Sequence, residues 1–172
     1  FMIEFIIPTY NRPYQLLTII GSILSQNNLN WKIHIVADAI YPGYDDIKKI
    51  FSNIDKIKFT ELPGPHNDWG HTPRQFGLDN ASEEWVVMSG DDNYYTPNMI
   101  EEVSKRSEDV IYFDLVHSHK TPHNNNKSTY GYMNSELVCS RVDMGNVVIK
   151  SELAKKVGFN STDFAADWIY FN

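Results

Sequence analysis

Trp85-Val86-Val87-Met88-Ser89-Gly90-Asp91-Asp92-Asn93 is the stretch from which the fold of this chain is read. The apolar, β-branched run at 85–88 reads as a buried strand, and Gly90 permits a sharp turn where it ends. Two carboxylates and an amide follow at the strand's C-terminal mouth. Thr96-Pro97 then reads as an N-cap with proline in the first helical turn, opening a helix to about Arg106. Strand, acidic turn and helix is how an open α/β sheet builds a ligand site, in the crevice beyond the carboxyl ends of its strands. Hard oxygen donors there suit Mg²⁺ or Mn²⁺ shared with the phosphates of a nucleotide. Asp and Asn are also common in solvated turns for local reasons, so the triplet needs support from the rest of the chain.

That support lies upstream. Residues 2–7 are apolar apart from Glu4 and predict a first buried strand, stopped by Pro8-Thr9-Tyr10-Asn11-Arg12-Pro13, with Asn11 as N-cap of the next helix. Leu16, Leu17, Ile20, Ile23 and Leu24 give that helix one apolar face. Trp31, Ile33 and Ile35 alternate with Lys32 and His34 in a second strand, which runs through Val36-Ala37 and ends at Asp38. A short helix at 44–51, with Ile47, Ile50 and Phe51 on one side, leads to a third strand at 57–62. The segment 63–71 is too rich in Gly and Pro for regular structure, and Thr72-Pro73 caps a helix that carries Arg74 and runs to about Ala81. Strands alternating with helices predict a parallel sheet covered on both faces. Right-handed crossovers then bring Asp38, Asp91 and Asp92 to one edge.

The second half has a different pattern. Strands are predicted at 110–116 and 136–142, joined through a polar, Asn-rich hairpin at 117–130. A short strand at 146–149 follows, then a helix capped by Ser151 and ended by Gly158. A terminal helix from about Ser161 or Thr162 carries Asp163 and Asp167 four residues apart, on one face.

Composition narrows the class. A chain of 172 residues with 42% hydrophobic and 22% charged residues is that of an ordinary globular protein with a sizeable core. Its net charge of −7 argues against a general nucleic-acid or anionic-membrane surface. Cys139 is the single cysteine, which excludes an internal disulfide and a thiolate zinc cluster. No apolar run approaches the ~20 residues needed to span a membrane. The chain enters a strand pattern at once, so no secretory signal is expected, and a cytoplasmic location is. Its abrupt end suggests a compact or truncated version of a larger fold.

No Gly-x-Gly-x-x-Gly and no Walker-type loop follows any strand, which disfavours a dinucleotide oxidoreductase or P-loop enzyme. Three segments instead resemble glycosyltransferase family 2, enzymes of the GT-A fold that transfer sugars from nucleotide donors. Phe5-Ile6-Ile7-Pro8-Thr9-Tyr10-Asn11-Arg12 is similar to the family's opening strand and turn. Pro73-Arg74-Gln75-Phe76-Gly77-Leu78-Asp79-Asn80-Ala81 resembles its Arg-Asn-x-Gly helix. Gly90-Asp91-Asp92-Asn93 resembles its Asp-x-Asp region. Each motif is weak alone; three in the right order are fairly specific.

The resemblance implies a Rossmann-like, mostly parallel α/β sheet with helices on both faces and a mixed second half. It also implies one domain over 1–172, with a nucleotide-binding half at 1–106 and an acceptor-side half at 107–172. Pro8, Thr9, Tyr10, Arg12, Asp38, Arg74 and Asp91 match nucleotide-sugar-binding positions, with Thr9 and Asp38 toward base and ribose and Asp91 toward the ribose or sugar. Asp92, with Asn93 as a second candidate, matches the position that ligates Mn²⁺ or Mg²⁺. Asp167 matches the general base that deprotonates the acceptor hydroxyl for inverting attack, with Asp163 the competing candidate. The implied donor is a UDP-linked hexose and the implied acceptor a hydroxyl of a glycan or lipid-linked sugar.

This chain departs from the family in two places. Ala37-Asp38-Ala39-Ile40-Tyr41 stands where the family has an acidic pair and a Ser, and Ala166 precedes Asp167 where a Glu is usual. Two rival readings remain. One is a nucleotidyltransferase, which lacks its expected Gly-rich basic loop here; the other is a non-catalytic nucleotide-sugar or glycan-binding remnant of the same fold. Trp69, Tyr94, Tyr95 and Trp168 are candidates to stack on a ring or simply to pack. His117, His119 and His123 suggest solvated loop residues more than a zinc site.

Overall fold

The computed structural model describes residues 1–117, 131–138, 141–159 and 170–171. Its centre is strand β1 (Ile3–Thr9), every residue of which is buried. β1 pairs in parallel with β2 (Trp31–Ala37) along one edge and with β4 (Trp85–Met88) along the other. β3 (Ile57–Glu61) pairs in parallel outside β2. Beyond β4 the direction reverses: β8 (Val147–Lys150) runs antiparallel to β4, and β5 (Val110–Tyr112) antiparallel to β8. The sheet order is β3-β2-β1-β4-β8-β5. A separate two-stranded ribbon joins β6 (Leu115–His117) to β7 (Gly131–Met133).

Side-chain alternation divides the interior into two layers. Ile3, Phe5 and Ile7 of β1, with Ile33, Ile35 and Val87, face α1 (Pro13–Leu24), α2 (Asp45–Phe51) and α4 (Met99–Val103). Ile6, Val86, Met88 and Ile149 face the other way, toward Leu78 of α3 (His71–Asp79) and Ala154 of α5 (Ser151–Val157). Glu4 is 5% exposed on that second face, and Oε2 accepts from the main-chain N–H groups of Ser82 (2.8 Å) and Glu83 (3.3 Å). It thereby holds the turn that enters β4. α3 lies close to the sheet because Gly77 has no side chain: a Cβ there would meet Ile6 Cγ2 at 2.3 Å. Gln26 joins the two α/β halves of the first layer, donating to Thr96 O (2.7 Å) and accepting from Ile100 N–H (3.1 Å).

Several boundaries differ from the sequence reading. β1 continues through Pro8 and Thr9 rather than stopping before them. Thr9 O accepts from Asp38 N and Ile6 O from Ser89 N, so Pro8 faces the β4 side just where β4 has ended, and its missing N–H costs no ladder bond. Asn11 is not the N-cap; it takes a left-handed φ of 53°, which Asn tolerates, and Arg12 occupies the cap position. Thr72 is capped rather than capping, since Asp68 Oδ2 accepts from its main-chain N–H at 2.8 Å. α4 begins at Met99, after a turn closed by Met99 N–H on Thr96 O, and ends at Val103, short of Arg106. The predicted strand at 110–116 is split into β5 and β6 around Phe113 and Asp114, which receive Ser135 and Asn146. In the segment predicted as a strand at 136–142, the described residues 136–138 and 141–142 form no strand: Arg141 N–H bonds Val138 O, Glu136 N–H bonds Arg141 O, and β7 upstream supplies the pairing. The polar segment 118–130 lies outside the described residues, as does the predicted terminal helix from about 161 to 172 except for residues 170–171.

His34, predicted on the polar side of β2, is 1% exposed against Phe76 of α3, with Nε2 3.0 Å from Thr60 Oγ1. Burial, with Lys58 nearby, pushes its pKa down to about 4. The native state therefore keeps His34 neutral where an unfolded chain protonates it near pH 6.5, so stability falls as pH drops from about 6.5 to 4. We expect wild type to lose ~2–3 kcal/mol more than His34→Leu between pH 7.5 and 4.5, read by urea unfolding; equal losses would refute the assignment. We also expect Gly77→Ala to destabilise the fold, because displacement of Ile6 at a typical ~1–3 kcal/mol outweighs a helix-propensity gain of ~1 kcal/mol or less. The same unfolding curves report it.

Candidate active site

The parallel pairing of β1, β2 and β4 places their C-terminal ends side by side. In the β1–β2 register Thr9 stands opposite Ala37, so Asp38 emerges next to it, while β4 ends level with Ile6 and releases Ser89, Gly90 and Asp91 beside Thr9. Thr9 Oγ1 donates to Asp91 Oδ2 at 2.8 Å and lies 3.0 Å from the hydroxyl of the buried Tyr44. Arg12, at the start of α1, reaches both carboxylates of the triplet: Nη1 is 2.9 Å from Asp91 Oδ1, and Nη2 is 2.9 Å from Asp92 Oδ2. The two acids differ in setting. The Asp91 side chain is 5% exposed and that of Asp92 56%.

The electrostatics follow from those positions. Burial pushes the Asp91 carboxyl above the usual carboxylate range, against the Thr9 hydrogen bond and the Arg12 charge, and the neighbouring Asp92 charge adds to the rise. Burial works against the Arg12 charge, but its hydrogen bond to Asp92 and the charges of Asp91 and Asp92 outweigh this and raise its pKa. Gly90 makes the turn possible at close quarters, since a Cβ there would lie 2.9 Å from Asp92 Oδ1.

On the β2 side, Asp38 is 7% exposed and both of its oxygens are taken by His66. Arg74, in the first turn of α3, donates from Nη1 to Trp69 O at 3.0 Å, while its buried Nε has no hydrogen-bond partner among the described residues. Gly70 packs between Arg74 and Pro8, which brings the α3 N-terminus against the β1 end. Pro8 is buried beneath the crevice; Tyr10 is 45% exposed at its rim. Asn93 turns inward, its amide donating to Ser89 Oγ at 3.1 Å and packing on Gly145, where a Cβ would come within 1.9 Å. Tyr95 is a core residue whose hydroxyl donates to Gly145 O at 2.8 Å, whereas Trp69 and Tyr94 are exposed.

The structure thus brings together Thr9, Arg12, Asp91 and Asp92 directly, with Pro8 and Arg74 against the same strand end and Asp38 beside Thr9. Asp163, Asp167, Trp168, His119 and His123 lie outside the described residues. Sequence reading missed two participants, Tyr44 and His66. Tyr44 stood within a predicted helix with nothing to mark its hydroxyl. His66 sat in a loop whose Gly-Pro content is informative only once its path over β2 is known. Among the described residues no group of three His, Cys, Asp or Glu is placed to hold a metal ion by itself. One exposed carboxylate instead fits a hard cation that takes its remaining ligands from phosphates and water.

Against this geometry, comparison with known proteins is consistent. The family model for glycosyl transferase family 2 matches residues 4–166. The uncharacterized glycosyltransferase YwdF of Bacillus subtilis (strain 168) is 29% identical over 123 residues, which is 67% of this chain and 41% of that protein. S. aureus TarS 1-349 in complex with UDP-GlcNAc superposes with a TM-score of 0.77 at 17% identity, covering 99% of this chain and 52% of that one. The mannosyltransferase PcManGT from Pyrobaculum calidifontis, in complex with GDP-Man and Mn²⁺, gives 0.68 at 15% identity, covering 98% and 50%. The chain therefore spans about half the length, or less, of these relatives. The mixed six-stranded sheet with helices on both faces is the GT-A architecture that the motifs implied, and the chain belongs to glycosyl transferase family 2.

Proposed function

We propose that this chain is the donor-binding domain of a metal-dependent, inverting glycosyltransferase that moves a hexose from a UDP-sugar to a hydroxyl acceptor. The observation that carries the proposal is the convergence of Thr9, Arg12, Asp91 and Asp92 at the ends of β1 and β4. That is where an α/β sheet binds nucleotides, and it combines a basic group for phosphate with a solvent-facing carboxylate for a cation. The relatives' complexes with UDP-GlcNAc and with GDP-Man and Mn²⁺ support the same class of donor.

In this reading Asp92 holds Mn²⁺ or Mg²⁺ together with the donor diphosphate, which the ion, when bound, helps to neutralise as leaving group. The Asn93 amide nitrogen is committed to Ser89, which leaves its Oδ1 as the atom that would join Asp92 in ligation. Thr9 and Asp38 take the base and ribose, and Asp91 the ribose or sugar side. Arg12 and Arg74 supply cationic groups to the phosphates, Arg74 from a helix N-terminus whose orphan N–H groups also favour anions. Asp167, with Asp163 as the competing candidate, takes the proton from the acceptor hydroxyl as it attacks the anomeric carbon from the face opposite the departing diphosphate. The acceptor is proposed to be a glycan or lipid-linked sugar. The described residues include no helix long and apolar enough to cross a membrane.

Calorimetry with UDP and GDP, with and without Mn²⁺, tests the donor site. Wild type is expected to bind UDP more tightly when Mn²⁺ is present, and Asp92→Ala to abolish the metal-dependent gain, a loss of about tenfold or more. Absence of binding of either nucleotide to well-folded protein would overturn the donor assignment. The anomeric configuration of any transfer product, read by NMR, tests inversion.

A further inference from the structure

Both carboxylate oxygens of Asp38 are engaged by one residue. Oδ2 accepts from the main-chain N–H of His66 at 3.1 Å, and Oδ1 lies 2.5 Å from His66 Nδ1. The loop is seated for this contact: Leu62 N–H bonds Ala37 O at 2.9 Å, and Gly64 passes so close that a Cβ would stand 2.0 Å from Asp38 O. Asp38 itself is anchored through its N–H to Thr9 O at 2.9 Å. An ionised carboxylate can only accept, so Nδ1 must donate. In the neutral ring that leaves Nε2 as a hydrogen-bond acceptor. The His66 side chain is 35% exposed and that of Asp38 10%, so the ring, not the carboxylate, is presented outward at the β2 end.

We propose that His66, its tautomer locked by Asp38, is the group that reads the nucleobase of the donor. An acceptor at Nε2 matches bases that carry a ring N–H beside a carbonyl, as uracil and guanine do, and opposes the ring lone pair that cytosine presents at the same place. The inference rests on the nucleotide-sugar reading above and adds to it the residue that sets base choice. It also accounts for a single acidic residue at the β2 end: the second polar group comes from the loop after β3.

The test is calorimetry with UDP and CDP in Mn²⁺, a pair that differs at this edge of the base and little in size. Wild type prefers UDP. His66→Phe keeps a ring but no acceptor, and is expected to weaken UDP about tenfold and bring the two affinities together. Asp38→Asn gives a sharper prediction. Its amide oxygen must stay on the His66 main-chain N–H, which turns the NH₂ toward Nδ1, makes Nδ1 the acceptor and Nε2 the donor. The preference should then move toward CDP. An unchanged UDP-to-CDP ratio in either variant overturns the proposal while leaving the donor site intact. Failure of wild type to bind any nucleotide overturns the donor reading itself, and this proposal with it. Circular dichroism establishes that each variant is folded.

Discussion

The pairing of β1 along both of its edges is the constraint on which the rest of this structure depends. A strand buried on both faces must be apolar on both, and Ile3, Phe5 and Ile7 fill one layer while Ile6 fills the other. The neighbours β2 and β4 are held in parallel register to it, so three strand ends open on one crevice. Thr9, Asp38 and Asp91 are close because those registers make them so. The glycine at 77 serves the same constraint from outside, letting α3 lie directly on Ile6 and Val36 and delivering Arg74 to the strand end.

Several of the polar groups buried inside this frame have a specific structural task. Glu4 ties down the turn into β4, Gln26 binds the end of α1 to the start of α4, and Asn93, Ser89 and Tyr95 join the acidic turn to Gly145 in the second half. Asp91 belongs to the same class, since an almost fully buried carboxylate requires the Thr9 hydroxyl and the Arg12 guanidinium to offset its desolvation. Asp92, one residue on, is exposed and bears less of that cost. Two adjacent acids of identical chemistry thus become a buried, paired carboxylate and a solvent-facing one through position alone.

Much of this was legible in the sequence. The apolar period of the strands and of α1, the order of strands and helices, and the three motifs led to the parallel half-sheet and to the cluster of Thr9, Arg12, Asp91 and Asp92. These signals are local, carried by residues within a few positions of one another, and the crossover rule places the strand ends without further information. The errors were local as well. Pro8 was read as a stop because proline lacks an N–H, but a missing donor matters only if a neighbouring strand is present to receive it. Asn11 was read as a cap because its side chain suits one, yet here its tolerance of positive φ is what is used.

The sequence by itself therefore determined the element order, the layers that bury their apolar faces, and the chemistry available at the strand ends. Tertiary structure alone decided the antiparallel insertion of β8 between β4 and β5, the burial of His34 against α3, and the closure of His66 onto Asp38 across 28 residues of chain. The physical reason is the range of the forces. Periodicity and turn preference act over one or two turns of chain, whereas desolvation and the pairing of buried polar groups depend on whatever the fold brings alongside.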